Sequence, residues 1–250
     1  MNDPQALQPE FDAYAGDYEA ALQKGLVLSG EGREFFAAAR IQWLARRLRE
    51  LDFSPRLALD FGCGTGASMP LLLGLPGVES VAGVEVSARS LEVARRRHPS
   101  QQMRFSLLSD LQPAASFDLA FCNGVFHHIP PEQRPASLRY ICDSLRAGGL
   151  FVFCENNPWN LGTRLIMKRI PFDRDAILIP PPQAVRLLKT AGFRVIHTDF
   201  LFFFPRMLAW FRALEPMLRR IPLGAQYMIL AGKPMAPGAE STHPRAPENL

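Results

Sequence analysis

The deciding stretch is Leu57-Ala58-Leu59-Asp60-Phe61-Gly62-Cys63-Gly64-Thr65-Gly66. Its first half, LALDF, is apolar except for Asp60 and reads as a buried strand. Glycines at 62, 64 and 66 let the backbone turn sharply and let a ligand approach with no Cβ in the way. A helix is predicted over 67–73, with Pro70 in its first turn, and its first N–H groups lack partners. A loop that leaves the carboxyl end of a strand and opens a helix is where open α/β sheets bind ligands.

Outward from that loop, short apolar runs alternate with helical patterns. SVAGVE over 80–85, MRFSLL over 103–108, FDLAFCN over 117–123 and LFVFCE over 150–155 read as strands two to five. Ser87 caps a helix stopped by Pro99, and Leu138, Ile141 and Leu145 mark another, closed by Gly148-Gly149. A helix over 183–191 separates strand five from a sixth strand over 193–199, and a seventh covers 227–233. On the amino-terminal side, Ser29 is expected to cap a helix reaching about residue 51, with Ile41, Leu44, Leu48 and Leu51 as its apolar stripe. Near-continuous apolar strands separated by helices predict a doubly wound α/β fold with a parallel sheet covered on both faces.

Composition narrows the class. The 250 residues are 48% hydrophobic and 21% charged, with a formal net charge of +4 that is dispersed along the chain. That balance excludes a mostly disordered chain and gives no sign of a nucleic-acid partner. Cys63, Cys122, Cys142 and Cys154 form no CxxC pair, which argues against structural zinc and for a reducing compartment. The start, MNDPQALQPEF, does not read as a signal peptide, and no apolar run approaches the ~20 residues of a membrane span. A cytoplasmic protein is expected, with or without peripheral contact at the inner face of a membrane.

The ligand follows from two carboxylates. Gly62, Gly64 and Ala67 also spell GxGxxA, which leaves a dinucleotide site open. Asp60, two residues before the first glycine, would repel a pyrophosphate but suits an ammonium group. Glu85, ending strand two, can take both hydroxyls of a ribose. A nucleoside joined to an amino acid without phosphate describes S-adenosyl-L-methionine.

With these residues in place, the sequence resembles the class I S-adenosylmethionine-dependent methyltransferases, of the quinone and small-molecule kind, from about Phe11 to Lys233. LDFGCGTG resembles the first motif of that family, GVEVS its ribose-binding strand end, and FSLLSDL its adenine-side loop. FDLAFCNGVFHHI and LRAGGLFVFCE resemble its fourth- and fifth-strand motifs. The resemblance implies a Rossmann-like sheet of seven strands, the last antiparallel, with an N-terminal helical lid. It implies one methyltransferase domain over 1–233, comprising a lid and helix (1–55), a cofactor-binding half (56–155) and a substrate-side half (156–233). A disordered tail is expected over 234–250. It also implies that Gly62, Cys63 and Gly64 wrap the methionine portion and that Asp60 acts near the amino group. Glu85 would hold the ribose, Val86 and Leu111 pack on the adenine, Asp110 face its amino group, and Asn123 contact the methionine end. Tyr14 and Tyr18, in FDAYAGDY, would be lid residues, and Arg40 would meet the cofactor carboxylate.

Methyl transfer is an in-line displacement from an activated leaving group, so alignment supplies much of the rate. A hydroxyl acceptor still needs a base. His127 and His128 follow strand four, and Glu155 ends strand five, ~4.8 Å away if the strands are neighbours. The expectation is that His128 or His127 removes the proton, oriented by Glu155.

Two insertions, 156–182 and 200–226, mix aromatic and apolar residues with arginines. Three readings of 200–226 compete: extra core at the sheet edge, the roof of a pocket, or a basic amphipathic contact with an anionic membrane. The last two point to a small hydrophobic acceptor that is lipid-, quinone- or polyketide-like, methylated at oxygen or carbon. Two other functions remain open. A nicotinamide-dependent oxidoreductase would use the same loop, but the chain shows no Tyr-x-x-x-Lys pair. A non-catalytic adapter would keep the cofactor site and bind a partner through 200–226.

Overall fold

Side chains on successive strand residues point to opposite faces, so a strand buried on both sides feeds two cores. The computed structural model, which describes residues 25, 29–170, 173 and 176–235, shows that arrangement throughout. Its strands are β1 (Leu57–Phe61), β2 (Ser80–Glu85), β3 (Met103–Leu107), β4 (Phe117–Asn123), β5 (Leu145–Asn156), β6 (Arg194–Leu201) and β7 (Gln226–Gly232). They form one sheet in the order β3-β2-β1-β4-β5-β7-β6. Strands β1 to β5 pair parallel, while β7 runs antiparallel to both β5 and β6. The helices are α1 (Arg33–Glu50), α2 (Met69–Leu73), α3 (Ala88–Arg97), α4 (Arg134–Ser144), α5 (Leu161–Met167), α6 (Pro181–Thr190) and α7 (Glu215–Leu218). A 3-10 helix over Arg206–Leu214 precedes α7.

Ala58, Val152 and Leu230 face the core under α1, α2 and α3, where Leu44, Leu72 and Leu91 are fully buried. Leu59, Phe151 and Ile229 face the opposite core under α4 and α6, with Ile141 and Leu188. The chain order reverses between β1 and β4, so connections diverge there and leave a crevice at the carboxyl ends of both strands.

Two helix ends differ from their sequence reading. Ser29 does not cap α1: its Oγ accepts from the Glu31 amide at 3.2 Å, and Gly32 sits at the N-cap. Gly148-Gly149 do not close α4, which ends at Ser144 and passes directly into β5. Its last carbonyls are taken by Lys233, whose Nζ donates to the oxygens of Cys142 (2.8 Å) and Leu145 (2.7 Å). Gly148, at φ +75°, turns the early part of β5 instead. Tyr14, Tyr18 and nearly all of the expected tail lie outside the described residues.

Helix α1 is tied to the far edge of the sheet. Asp199 on β6 accepts from Trp43 Nε1 (2.9 Å), Arg47 Nε (2.6 Å) and Arg47 Nη2 (2.5 Å), all in a buried setting. The reading of 200–226 as extra core holds for Phe200 and Leu201, which join the two cores, and fails for 206–218, where nothing is buried.

Candidate active site

The register of the parallel strands gathers the predicted residues at one edge. Asp60 pairs with Gly83 and Phe121, Glu85 with Leu107, and Asn123 with Cys154. The glycine loop bends back on β2, with the amides of Gly62 and Cys63 both bonded to the Val84 carbonyl. Gly62, at φ +73°, packs so closely on Val125 that a Cβ would lie 2.5 Å from it. Gly64, at φ +53°, has nothing among the described residues within 4 Å of a Cβ position.

Glu85 reaches across this bend. Its Oε2 accepts from the Gly64 amide at 3.0 Å, and its Oε1 from Val86 (2.7 Å) and Ser87 (3.1 Å). These three amides fix the carboxylate at the end of β2, beside the glycine loop. Asp60 is buried beneath, and burial together with the Glu85 charge raises its pKa to about 7. Such a group gains charge once a cation arrives. Cys63 is a buried filler whose thiol is pushed well up by burial, then by Asp60 and Glu85. Val86 and Leu111 are half-buried, and exposed Asp110 accepts from Ser109 Oγ at 2.8 Å. Asn123 Oδ1 is buried and has no hydrogen-bond partner among the described residues.

Adjoining this edge is a cavity of about 540 Å³. Of the residues expected to hold the cofactor, Asn123 and Arg40 line it, whereas Asp60, the glycine loop and Glu85 do not. Arg40 is buried on α1 and donates to Gln226 Oε1 at 2.8 Å, and Gln226 donates to Asn156 at 2.9 Å. Other lining residues are aromatic and apolar, among them Phe35, Phe36, Ile166 and Phe202–Phe204. Both insertions contribute, so of the three readings of 200–226 the pocket wall is the one seen for 202–205.

His127, His128 and Asp173 also line the cavity. Glu155 Oε2 meets His127 Nδ1 at 2.5 Å, while Glu155 Oε1 takes the Phe126 amide at 2.7 Å. The other His127 nitrogen lies 3.5 Å from Asp173, and His128 Nε2 lies 3.3 Å from the same oxygen. Burial opposes a charge on His127, but Glu155 and Asp173 outweigh it and raise its pKa to about 10. Burial likewise opposes charge on Asp173, yet the two histidines hold it below the ordinary carboxylate range. The two histidines are therefore not equivalent. His127 is clamped between two acids, whereas His128 meets one acid and stays 14% exposed.

Asp173, which the sequence reading did not select, is the partner of His128, while Glu155 serves His127. Arg134 was also missed. It is fully buried and donates to the carbonyls of Phe126, Ile129 and Ile177, fixing the loop that carries both histidines. Only its place at the head of a helix beside Pro135 was visible in sequence. Among the described residues, His127, His128 and Asp173 also offer three ligand atoms within 4.8 Å of one another, a spacing that one divalent cation could bridge.

Comparison with known proteins agrees with this fold. Residues 58–149 match the family described as methyltransferase domain. A trans-aconitate 2-methyltransferase from Rhizobium etli is 36% identical over 107 residues, which are 43% of this chain and 40% of that protein. The chain thus spans well under two thirds of that relative's length. Among solved structures, magnesium protoporphyrin IX methyltransferase from Synechocystis PCC 6803, with bound SAH, superposes with a TM-score of 0.62 at 17% identity, covering 92% of this chain and 100% of that one. An S-adenosylmethionine-dependent methyltransferase from Thermotoga maritima gives 0.60 at 20% identity, covering 91% and 99%. Residues 58–149 thus carry a methyltransferase domain, and the fold around it is that of the class I S-adenosylmethionine-dependent methyltransferases.

Proposed function

We propose that this protein methylates a small, largely apolar acceptor at oxygen or carbon, with S-adenosylmethionine as methyl donor. The observation that carries this reading is the continuity of one cavity from Asn123 and Arg40, past His128, to the phenylalanine walls. The donor, when bound, supplies an electrophilic methyl on a sulfonium.

The chain's residues fit that donor. The position beside Gly64, clear of any described residue, the buried carboxyl of Asp60 and the Asn123 oxygen, unpartnered among the described residues, suit an amino-acid end that carries an ammonium. Glu85 would take the ribose hydroxyls, with Val86, Asp110 and Leu111 toward the adenine. Arg40 would meet the carboxylate. His128 would accept the acceptor's proton at the ring nitrogen turned away from Asp173, whose carboxylate lies 3.3 Å from Nε2 and would stabilise the imidazolium, while Glu155 acts as a positioning residue through His127. His127, kept protonated near neutral pH, is a poor base.

Trans-aconitate, named for the relatives, is a tricarboxylate. On the cavity wall Arg33, Arg40, Arg212 and protonated His127 stand against Glu31, Asp173 and Glu215, one net positive charge, and this favours a largely apolar acceptor over a trianion. His128→Gln tests the base. A loss of more than about tenfold in turnover, with SAH affinity kept, is expected; a smaller loss, or undiminished activity on trans-aconitate, overturns the role. Dialysis against EDTA separates the two uses of the cluster. Unchanged turnover supports the base, whereas a loss restored by zinc or manganese marks a cation instead. Titration with SAH against NAD separates this reading from the oxidoreductase. SAH binding without transfer to any acceptor would mark an adapter.

A further inference from the structure

The outer surface of the cavity's two insertion walls runs against the usual rule of burial. Met207, Trp210 and Met217 are 81%, 76% and 79% exposed. Leu214, between them in the chain, is 45% exposed, so the 3-10 stretch and α7 after it turn apolar side chains to water. Leu161 is 77% exposed and Leu223 60%. The two insertions are fastened together where Leu161 and Leu223 stand. Asn160 Nδ2 donates to the Leu223 carbonyl at 2.7 Å, Asn157 Nδ2 to Gly224 at 2.8 Å, and Thr163 Oγ1 to Ala225 at 2.8 Å. An exposed cluster of this kind marks an interaction surface.

Its charge says which kind. The stretches 159–170 and 206–223 hold seven lysines and arginines and a single acid, Glu215. That acid is turned inward, accepting from the amides of Phe203 (3.0 Å) and Phe204 (3.1 Å). Arg164, Lys168, Arg169, Arg206 and Arg220 stand exposed around the apolar cluster. A tryptophan and long apolar side chains accompanied by cations match the boundary of a bilayer with anionic headgroups. A second copy of the chain fits poorly, because a two-fold contact would bring two cationic rims together.

We propose that this face seats the protein on an anionic lipid surface, with no segment crossing it. None of the helices among the described residues is long and apolar enough to span. The same insertions wall the cavity: Leu165 both lines it and is half exposed on the outside, and Arg212 and Glu215 line it from the other insertion. Docking therefore sets the acceptor cavity against the membrane, so that an apolar acceptor passes in from lipid. This last step rests on the functional reading above, whereas the docking itself does not.

Flotation of the full chain with phosphatidylcholine vesicles, with and without phosphatidylglycerol, tests it. Binding is expected only to the anionic vesicles, weakening as salt rises. The double variant Trp210→Glu, Met217→Glu should lose binding by about tenfold or more, with its melting temperature and SAH affinity unchanged. Neither residue lines the cavity. No flotation with anionic vesicles, or undiminished flotation of the variant, overturns the proposal. So does a concentration-dependent dimer that the variant dissolves. If methyl transfer fails for every acceptor while flotation persists, the functional reading falls and the docking stands.

Discussion

Asp60 shows how much a single carboxyl can carry. Its pKa of about 7, against 3.8 for the ordinary side chain, means the folded state prefers it protonated. Its contribution to stability is fully present below pH 3.8 and is lost as pH rises through about 7. At ~1.4 kcal/mol per pH unit, the cost at pH 8 is a few kcal/mol. Asp60→Asn should therefore melt higher than the parent at pH 8 and alike at pH 4, in thermal scans. A cation beside Asp60 favours its charged form, so SAH affinity should fall as pH drops below 7 in the parent and stay flat in Asp60→Asn. Calorimetry in buffers of different ionisation heat reads the linked proton. A pH-independent parent would contradict the placement of Asp60 at the ammonium. This residue was legible because its role depends on local chain order, two positions ahead of Gly62. Asp173 was not, since FDRD offers two acids and an arginine on one short stretch and nothing in the spacing says which faces the histidines.

Among elements, the legible ones are those whose cause is local. The apolar runs of β1 to β5 announce a sheet buried on both faces, and Pro99 and Gly192 mark ends where the structure has them. What escaped depends on distant partners. Gly148-Gly149 resembled a helix stop, but Lys233, far along the chain, caps α4. Docking of α1 likewise depends on Asp199, 152 residues from Arg47. Burial lowers the Arg47 pKa, but its contacts with Asp199 and Glu50 more than compensate, so the guanidinium stays charged. Removing one member of a buried pair leaves the other uncompensated, so Asp199→Asn should destabilise by roughly 3–5 kcal/mol in urea unfolding. Trp43, which shares that carboxylate, should respond in its fluorescence before global unfolding. A loss under ~1 kcal/mol would show that α1 is held by its apolar stripe alone.

At the scale of the molecule, the two halves of the site differ in origin. The edge proposed for the cofactor is drawn from contiguous motifs over 58–149, so its strands and glycine loop could be read from sequence. The acceptor cavity is assembled from 29–40, 123–128, 156–173 and 202–226, which meet only in the folded chain. Its composition could be read from sequence but its shape could not. The division has a kinetic consequence. Phe204→Ser, on the cavity wall, should raise KM for an apolar acceptor about tenfold and leave SAH affinity unchanged. Equal effects on both would mean the wall also shapes the cofactor side.

Because β7 lies between β5 and β6, the last strand described is an interior one. On the ribosome the five parallel strands emerge first, and β5 then presents a bare flank while Arg194–Leu201 waits with no sheet to join. Only when Gln226–Gly232 emerges can both seams close, with Gln226 delivering the partner of Arg40 at the same moment. Translation thus completes β1 to β5 before either seam can close, and a pause within 202–225 leaves a nascent chain with an open seam for chaperones to guard.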